Sequence, residues 1–258
     1  MLDSLYIAAT GMNAQQLNVD TISNNLANVS TTGFKRARVS FEDLVSRQIP
    51  RSLRLLGADG AARYGTGVAV GGTSQVFVAG DLKKTEQPYD LAIRGNGFFE
   101  VTRTDGSRAY TRDGAFQLDA DGTLVTAGGL TLNPALRVPS DATNILIDAA
   151  GKVTATLPNE AQPAELGTIE LFGFMNPAGL KAEGNNLYST TERSGDAIPG
   201  KAGEQGMGAV AQGFLEASNV RLVDEFVNLI VAQRAYEASS KAIQAADEML
   251  GITNNLRR

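Results

Sequence analysis

The two ends of the chain carry the same seven-residue apolar pattern, and a long stretch of different character separates them. Leu5, Met12, Val19 and Leu26 recur at intervals of seven near the start. Leu222, Leu229, Tyr236, Ile243 and Leu250 do so near the finish. This spacing puts each set on one helical face, in the register of a coiled-coil seam. Leu2, Ala9, Ile22 and Val29 add to the first stripe, while Gln16 and Ser23 interrupt it. No proline falls between Leu2 and Val29, so a helix roughly 40 Å long is expected, with Gly33 as its terminator. In the second stripe Val223, Phe226, Ile230 and Met249 widen the apolar face. Ser218 or Asn219 is placed to cap its start, where Asp224 and Glu225 suit the positive end of the helix dipole. Ala235, Ala238, Ala242, Ala245 and Ala246 keep the second half of that helix thin, which admits close neighbours.

Between the stripes the pattern turns β-like. Glycine and aspartate punctuate short apolar runs such as Val76-Phe77-Val78, Leu91-Ala92-Ile93, Phe98-Phe99-Glu100-Val101 and Ile145-Leu146-Ile147. Asp105-Gly106, Asp113-Gly114 and Asp121-Gly122 predict the turns of an antiparallel meander. The expected fold is α+β: discontinuous N- and C-terminal coiled-coil helices flank an inserted antiparallel all-β domain. The helices occupy residues 1–34 and 215–258, the β domain 66–214, and an extended connector 35–65. Within that connector only Phe41 to Val45 reads as a short ordered piece.

Composition narrows the chemistry. The 258 residues include no His, no Cys and no Trp. That removes a Ser–His–Asp triad, a Cys–His pair, thiolate or imidazole metal sites and disulfides. The net charge of −5, with Lys35-Arg36-Ala37-Arg38 as the densest basic stretch, offers no nucleic-acid-binding face. No apolar run approaches the ~18 residues of a membrane span, so no stable membrane insertion is expected. The start of the chain lacks the basic and apolar regions of a cleaved export signal.

Short motifs do not restore a chemistry. Asp119-Ala120-Asp121-Gly122 begins like a calcium loop, but Leu124 and Leu130 occupy the positions where its glycine and glutamate belong. Gly95-Asn96-Gly97 lacks the third glycine of a dinucleotide loop and leads into an apolar strand. Gly195 to Lys201 matches the glycine and lysine spacing of a phosphate loop, but Ala202 stands where the magnesium-binding hydroxyl belongs. Asp90, Glu100, Asp113 and Glu170 are the carboxylates available for a glycan-hydrolase pair. A ligand-binding β module with helical arms is a further alternative. Catalytic, cofactor-binding and metal-ligating residues are expected to be absent.

Magnitudes then favour self-assembly. Ordering the backbone costs roughly 1–2 kcal/mol per residue, and burying an apolar side chain returns about 1.5–3 kcal/mol. Two narrow stripes leave one helix pair marginal, so identical chains are expected to complete it. The expected interface is Leu5, Met12, Val19, Leu26, Leu222, Leu229, Tyr236 and Ile243. The alternative is that both helices simply pack on the β domain.

Specific segments strengthen the first reading. Asn24-Asn25-Leu26-Ala27-Asn28-Val29-Ser30-Thr31-Thr32-Gly33-Phe34-Lys35, Gly213-Phe214-Leu215-Glu216-Ala217-Ser218-Asn219-Val220 and Gln233-Arg234-Ala235-Tyr236-Glu237 resemble the signatures of the flagellar rod and hook axial protein family. In the middle, Gly97-Phe98-Phe99, Tyr110-Thr111-Arg112-Asp113-Gly114 and Leu124-Val125-Thr126-Ala127-Gly128-Gly129 are similar to its distal rod branch. The resemblance implies helical polymerisation into a hollow drive shaft that carries motor torque to the hook, with terminal helices inside and β domains outside. Implied partners are further copies, the proximal rod and hook proteins, the surrounding P and L rings, and the flagellar type III export apparatus. Its implied location is the basal body in the periplasmic space. The stretch Arg47 to Tyr64 occupies the place of the family's rod-stiffening segment without matching it closely.

Overall fold

The computed structural model describes residues 2–48, 63–158 and 162–256. Among these, two long helices and a set of short antiparallel strands form an α+β fold. They divide into two compact units, one built from 1–27, 37–75 and 221–258, the other from 28–36 and 76–220.

The helical unit contains α1 (Leu2–Ala27), the strands β1 (Ala37–Gln48) and β2 (Arg63–Gln75), and α2 (Leu222–Leu256). The two helices run antiparallel: Asn25 near the end of α1 meets Glu225 near the start of α2, and Gly11 faces Ser239. Gly11 sits at the contact between them: a Cβ there would stand 3.5 Å from the Ser239 hydroxyl, an ordinary van der Waals distance that leaves no room for a longer side chain. The connector differs from the expected extended link. Its first part, Ala37 to Gln48, is one arm of an antiparallel hairpin whose other arm is β2. Gly65, Gly67, Gly71 and Gly72 interrupt the side-chain alternation by which such a strand is recognised. Gly67 has φ +126°, and its missing Cβ leaves room for the Thr10 hydroxyl of α1, which accepts the Val68 N–H at 3.3 Å. Residues 49–62, the bulk of the expected stiffening segment at Arg47 to Tyr64, lie outside the described residues.

Two expectations at the helix ends are corrected. The first helix stops at Ala27, and 28–30 form a turn. Asn219 does not cap α2. Its carboxamide accepts the Arg36 N–H at 2.8 Å and donates to the carbonyls of Val76 and Val78 at 2.7 and 3.1 Å. The first turn of α2 instead begins with Glu225 N–H donating to the Arg221 carbonyl at 3.0 Å.

The β unit contains β3 (Leu82–Lys84), β4 (Leu91–Arg94), β5 (Phe98–Thr102), β6 (Arg108–Thr111), β7 (Phe116–Leu118), β8 (Leu124–Thr126), β9 (Thr131–Asn133), β10 (Asn144–Ile147), β11 (Lys152–Thr156), β12 (Ala164–Thr168), β13 (Glu170–Gly173), β14 (Lys181–Gly184), β15 (Leu187–Ser189), β16 (Ile198–Lys201), β17 (Ala209–Gln212) and β18 (Phe214–Glu216). The largest sheet runs β14-β15-β6-β5-β9-β8-β7, with β13 joining β5 to β16. A three-stranded sheet, β10-β11-β12, and the pairs β17-β4 and β18-β3 complete the unit. Asp105-Gly106 and Asp121-Gly122 turn the β5-β6 and β7-β8 hairpins as expected. Asp113-Gly114 does not turn a hairpin, because β6 and β7 pair with other strands. Gly114 is a point of close approach: a Cβ there would fall 1.6 Å from the Leu91 carbonyl oxygen.

The main core gathers Leu91, Ile93, Phe99, Val101, Leu132, Ile169 and Leu171 with several other fully buried aliphatics. A second, aromatic cluster surrounds Phe98, whose ring meets those of Phe77, Phe174 and Tyr188 edge to face. Such contacts add to what burial of the rings already contributes.

Candidate functional site

In the helical unit the apolar side chains divide into two faces of α2. Ala232 and Ala246 are buried, and Leu229, Ile243 and Leu250 are half-buried. On α1, Ala14 and Ile22 are buried together with Thr21 and Asn25, while Leu5, Met12, Val19 and Leu26 are half-buried. Of the residues named as an interface from sequence, Leu222 and Tyr236 are exposed and the other six are half-buried.

A second stripe on α2 is far more open. Val223, Phe226, Val227, Ile230 and Val231 follow one another at i, i+3, i+4, i+7 and i+8, the spacing of a single helical face. Their relative exposures run from 49% to 73%. Continued along the helix, this face becomes charged: Arg234 and Glu237 form a 3.0 Å ion pair there, followed by Lys241. The apolar part is thus a bounded patch of about two and a half turns. Scattered exposed apolar residues are ordinary, but a contiguous stripe marks a contact surface.

The polar side of the helix pair is pinned at one end. The Asn25 carboxamide accepts the Ala37 N–H at 2.8 Å and donates to the Ala37 carbonyl at 2.9 Å and to Glu225 Oε2 at 3.4 Å. One buried side chain thereby ties the end of α1 to the start of the hairpin and to the first turn of α2.

In the β unit, a buried ionic cluster joins the segments by which the chain enters and leaves. Glu216 Oε1 accepts from Lys35 Nζ at 2.5 Å and from the Gly80 N–H at 2.8 Å, and Oε2 accepts from Arg112 at 3.2 Å. All three side chains are essentially inaccessible. Lys35 also donates to the Val78 carbonyl, and Arg112 to those of Ile93 and Gly95. The Arg112 guanidinium lies 5.4 Å from the Phe98 ring centroid, over its face. Burial pulls the pKa of both cations down, and the Glu216 carboxylate opposes that shift. Alongside, Gly33 N–H donates to the Glu216 carbonyl at 2.8 Å, and Thr32 donates to Asp113 at 3.0 Å. Gly33 has φ +67°, and a Cβ there would sit 2.6 Å from the Asp113 backbone nitrogen, so glycine is required. Burial pushes the Asp113 carboxyl above its usual range, with Asp90 adding to the shift and bonds from Ala115 and Thr32 opposing it.

Sequence patterning does not reveal this cluster as a unit. Lys35, Arg112 and Glu216 are far apart along the chain, and a lone charge in a motif reads as solvated. The cue is that each falls in one of the segments that resemble the family signatures.

Two of the four carboxylates considered for hydrolysis, Glu100 and Asp113, are held in other work, and Glu170 is exposed on β13. Glu100 is buried and accepts from Tyr110 at 2.9 Å and from Asn133. Asp113 serves Thr32 and Ala115. A cleft of about 510 Å³ in the β unit has Asp113 as the one carboxylate on its walls, and a second of about 280 Å³ has none. Among the described residues no group of three or more carboxylates is placed to hold a metal ion. No helix there is long and apolar enough to cross a membrane.

Three family models match. Residues 5–35 match the flagella basal body rod protein, 92–155 the flagellar hook protein FlgE/F/G D1 domain, and 211–256 the flagellar basal body rod FlgEFG protein C-terminal region. Each span supplies one member of the buried cluster: Lys35, Arg112 and Glu216 respectively. Among curated relatives, the flagellar basal-body rod protein FlgG of Borreliella burgdorferi is 46% identical, with all of both chains covered. FlgG of Bacillus subtilis is 40% identical over the whole of both chains. The flagellar hook-basal body complex protein FlhP of the same organism is 32% identical over the same extent. Helical ends, an inserted antiparallel β unit and similarity along the full length together place this chain in the flagellar basal-body rod and hook protein family.

Proposed function

We propose that the chain is a structural, non-enzymatic subunit of the distal rod of the bacterial flagellum, and that it polymerises helically into a rigid hollow shaft. The observation that carries this reading is the open apolar stripe of α2 on a helix pair whose own interior is thin. A chain alone leaves that surface in water, and further copies cover it. The higher identity to FlgG chains than to FlhP supports the distal rod over a paralogous rod component. Torque then passes through the packed helices and through contacts between β units, and on to the hook. Proximal rod and hook proteins join at the two ends, and P and L ring proteins surround the shaft. The subunit travels through the flagellar type III apparatus to the periplasmic space.

In this reading the half-buried seam around Leu5, Met12, Val19, Leu26, Leu229 and Ile243, with Leu222 and Tyr236 at its margin, closes fully on assembly. The test is electron microscopy of purified full-length protein alongside Leu229→Asp. Wild type is expected to form straight tubes, and the variant to remain dispersed with its β unit folded. Normal tubes from the variant would refute the seam, and a wild type that stays monomeric at every concentration would refute self-assembly.

A further inference from the structure

The wider of the two clefts in the β unit, about 510 Å³, is large enough for a small organic molecule. Its walls mix two chemistries. Leu130 and Leu187, both half-buried, supply apolar surface, and Thr111, Asn186 and Asp113 supply hydroxyl, amide and carboxylate. Two of the polar groups are already committed. The Thr111 hydroxyl donates to the Asn186 carbonyl at 2.9 Å, and the Asn186 carboxamide donates to the Thr32 carbonyl at 2.8 Å. Asp113 is half committed: Oδ1 accepts from the Thr32 hydroxyl at 3.0 Å and from the Ala115 N–H at 3.2 Å, and among the described residues Oδ2 accepts no hydrogen bond. Its charge is also unbalanced. Arg103, the cation on the same cleft wall, is paired with Glu183 instead. Burial holds the Asp113 carboxyl above its usual range, and the charge that adds to this shift is a second carboxylate, Asp90.

We infer that this cleft binds an organic cation: an alkylammonium or alkylguanidinium group whose head pairs with Asp113 and whose methylene stem lies along Leu130 and Leu187. The site lies wholly within the β unit and does not depend on the self-assembly reading above. The head brings N–H donors to a carboxylate oxygen that has none, together with the counter-charge that Asp113 lacks. The stem covers apolar wall as the methylenes of a long basic side chain do. A neutral polar ligand would leave the charge unbalanced, and an anion would be repelled by it. The net charge of −5 adds a general attraction for cations. The same chemistry is carried by a free amine and by the tip of a lysine or arginine in another protein, and the test separates the two.

Full-length protein with methyl-labelled leucine is titrated at constant ionic strength with n-butylguanidinium, n-butylammonium and n-butanol, the last being the uncharged control of equal stem. Both cations are expected to shift the Leu130 and Leu187 methyl resonances saturably, and butanol to bind about tenfold or more weakly, the worth of a hydrogen-bonded charge. Asp113→Asn keeps an oxygen for Thr32 and Ala115, and with its β unit folded by near-ultraviolet circular dichroism it is expected to weaken both cations by about tenfold or more. A second measurement needs no variant. The carboxyl carbon resonance of Asp113 is followed against pH, and its midpoint is expected to fall when n-butylguanidinium saturates the cleft, because a cation favours the charged form. Butanol as effective as the cations would overturn the inference and leave only an apolar recess. Undiminished affinity in Asp113→Asn, an unmoved midpoint, or no saturable shift with either cation would overturn it as well. Nα-acetylarginine amide identifies the source: affinity equal to that of n-butylguanidinium supports a protein side chain, and exclusion from the cleft supports a free small molecule.

Discussion

The helical unit and the β unit solve the problem of apolar surface in opposite ways. In the β unit the large side chains are inside: Leu91, Phe99, Leu132, Ile169 and Leu171 have no exposed surface. In the helical unit the buried apolar residues among those described are Ala14, Ile22, Val39, Ala232 and Ala246, and Val223, Phe226, Val227, Ile230 and Val231 of α2 are exposed. The β unit therefore holds itself together, while the helical unit closes with small residues and keeps its greasiest face free. The difference teaches where stability and assembly reside: a substitution in one unit should affect folding, and a substitution on the outer face of the other should affect association.

That separation can be broken or sharpened by four substitutions, in falling order of effect. Glu216→Ala leaves Lys35 and Arg112 buried without their carboxylate, and is expected to cost about 3–5 kcal/mol in urea unfolding of the full chain. Leu171→Ala empties part of the main core and is expected to cost about 2–5 kcal/mol, read from the same transition. A loss below ~1 kcal/mol in either would mean that the β unit is not self-sufficient. Gly11→Leu forces the helices apart at Ser239, with an expected cost of about 1–3 kcal/mol. It should lower helical circular dichroism and leave the β-unit transition in place.

The smallest effect concerns Asp113. Its carboxyl is pushed up by burial, so the folded state holds that proton more tightly than the unfolded chain does. Its contribution therefore favours folding most below the ordinary carboxylate value of 3.8 and fades as pH rises through the interval up to its folded value. Stability should thus fall more steeply with rising pH in wild type than in Asp113→Asn across that interval, by urea midpoints. Parallel curves would show that Asp113 does not contribute.

Much of this division is legible in the amino-acid sequence alone. Two heptad stripes announce two helices, because a period of seven has no other simple realisation in a soluble chain. Glycine and aspartate between short apolar runs announce the strands. Three features are not legible there, each for a physical reason. The hairpin of β1 and β2 is hidden because glycines at 65, 67, 71 and 72 carry no side chain to alternate. Asp113-Gly114 looks like a hairpin turn because the same pair serves a turn or a close backbone approach, and only the nearby Leu91 carbonyl distinguishes them. The Lys35–Arg112–Glu216 cluster is invisible because charge pairing between distant segments leaves no periodic trace. On α2, periodicity finds two overlapping stripes, through Leu229 and Ile243 and through Val223 and Ile230. The interior is narrow enough that spacing alone does not say which one faces outward.

The central claim is that the helical unit is completed by other copies of the chain. Hydrogen exchange measured residue by residue, on dilute monomer and on assembled protein, tests it most directly. Amides of 2–27 and 222–256 are predicted to exchange far more slowly once assembled, while those of the β-unit core strands stay equally protected in both states. Helices as strongly protected in the lone monomer as the β core, with no further gain on association, would contradict the claim.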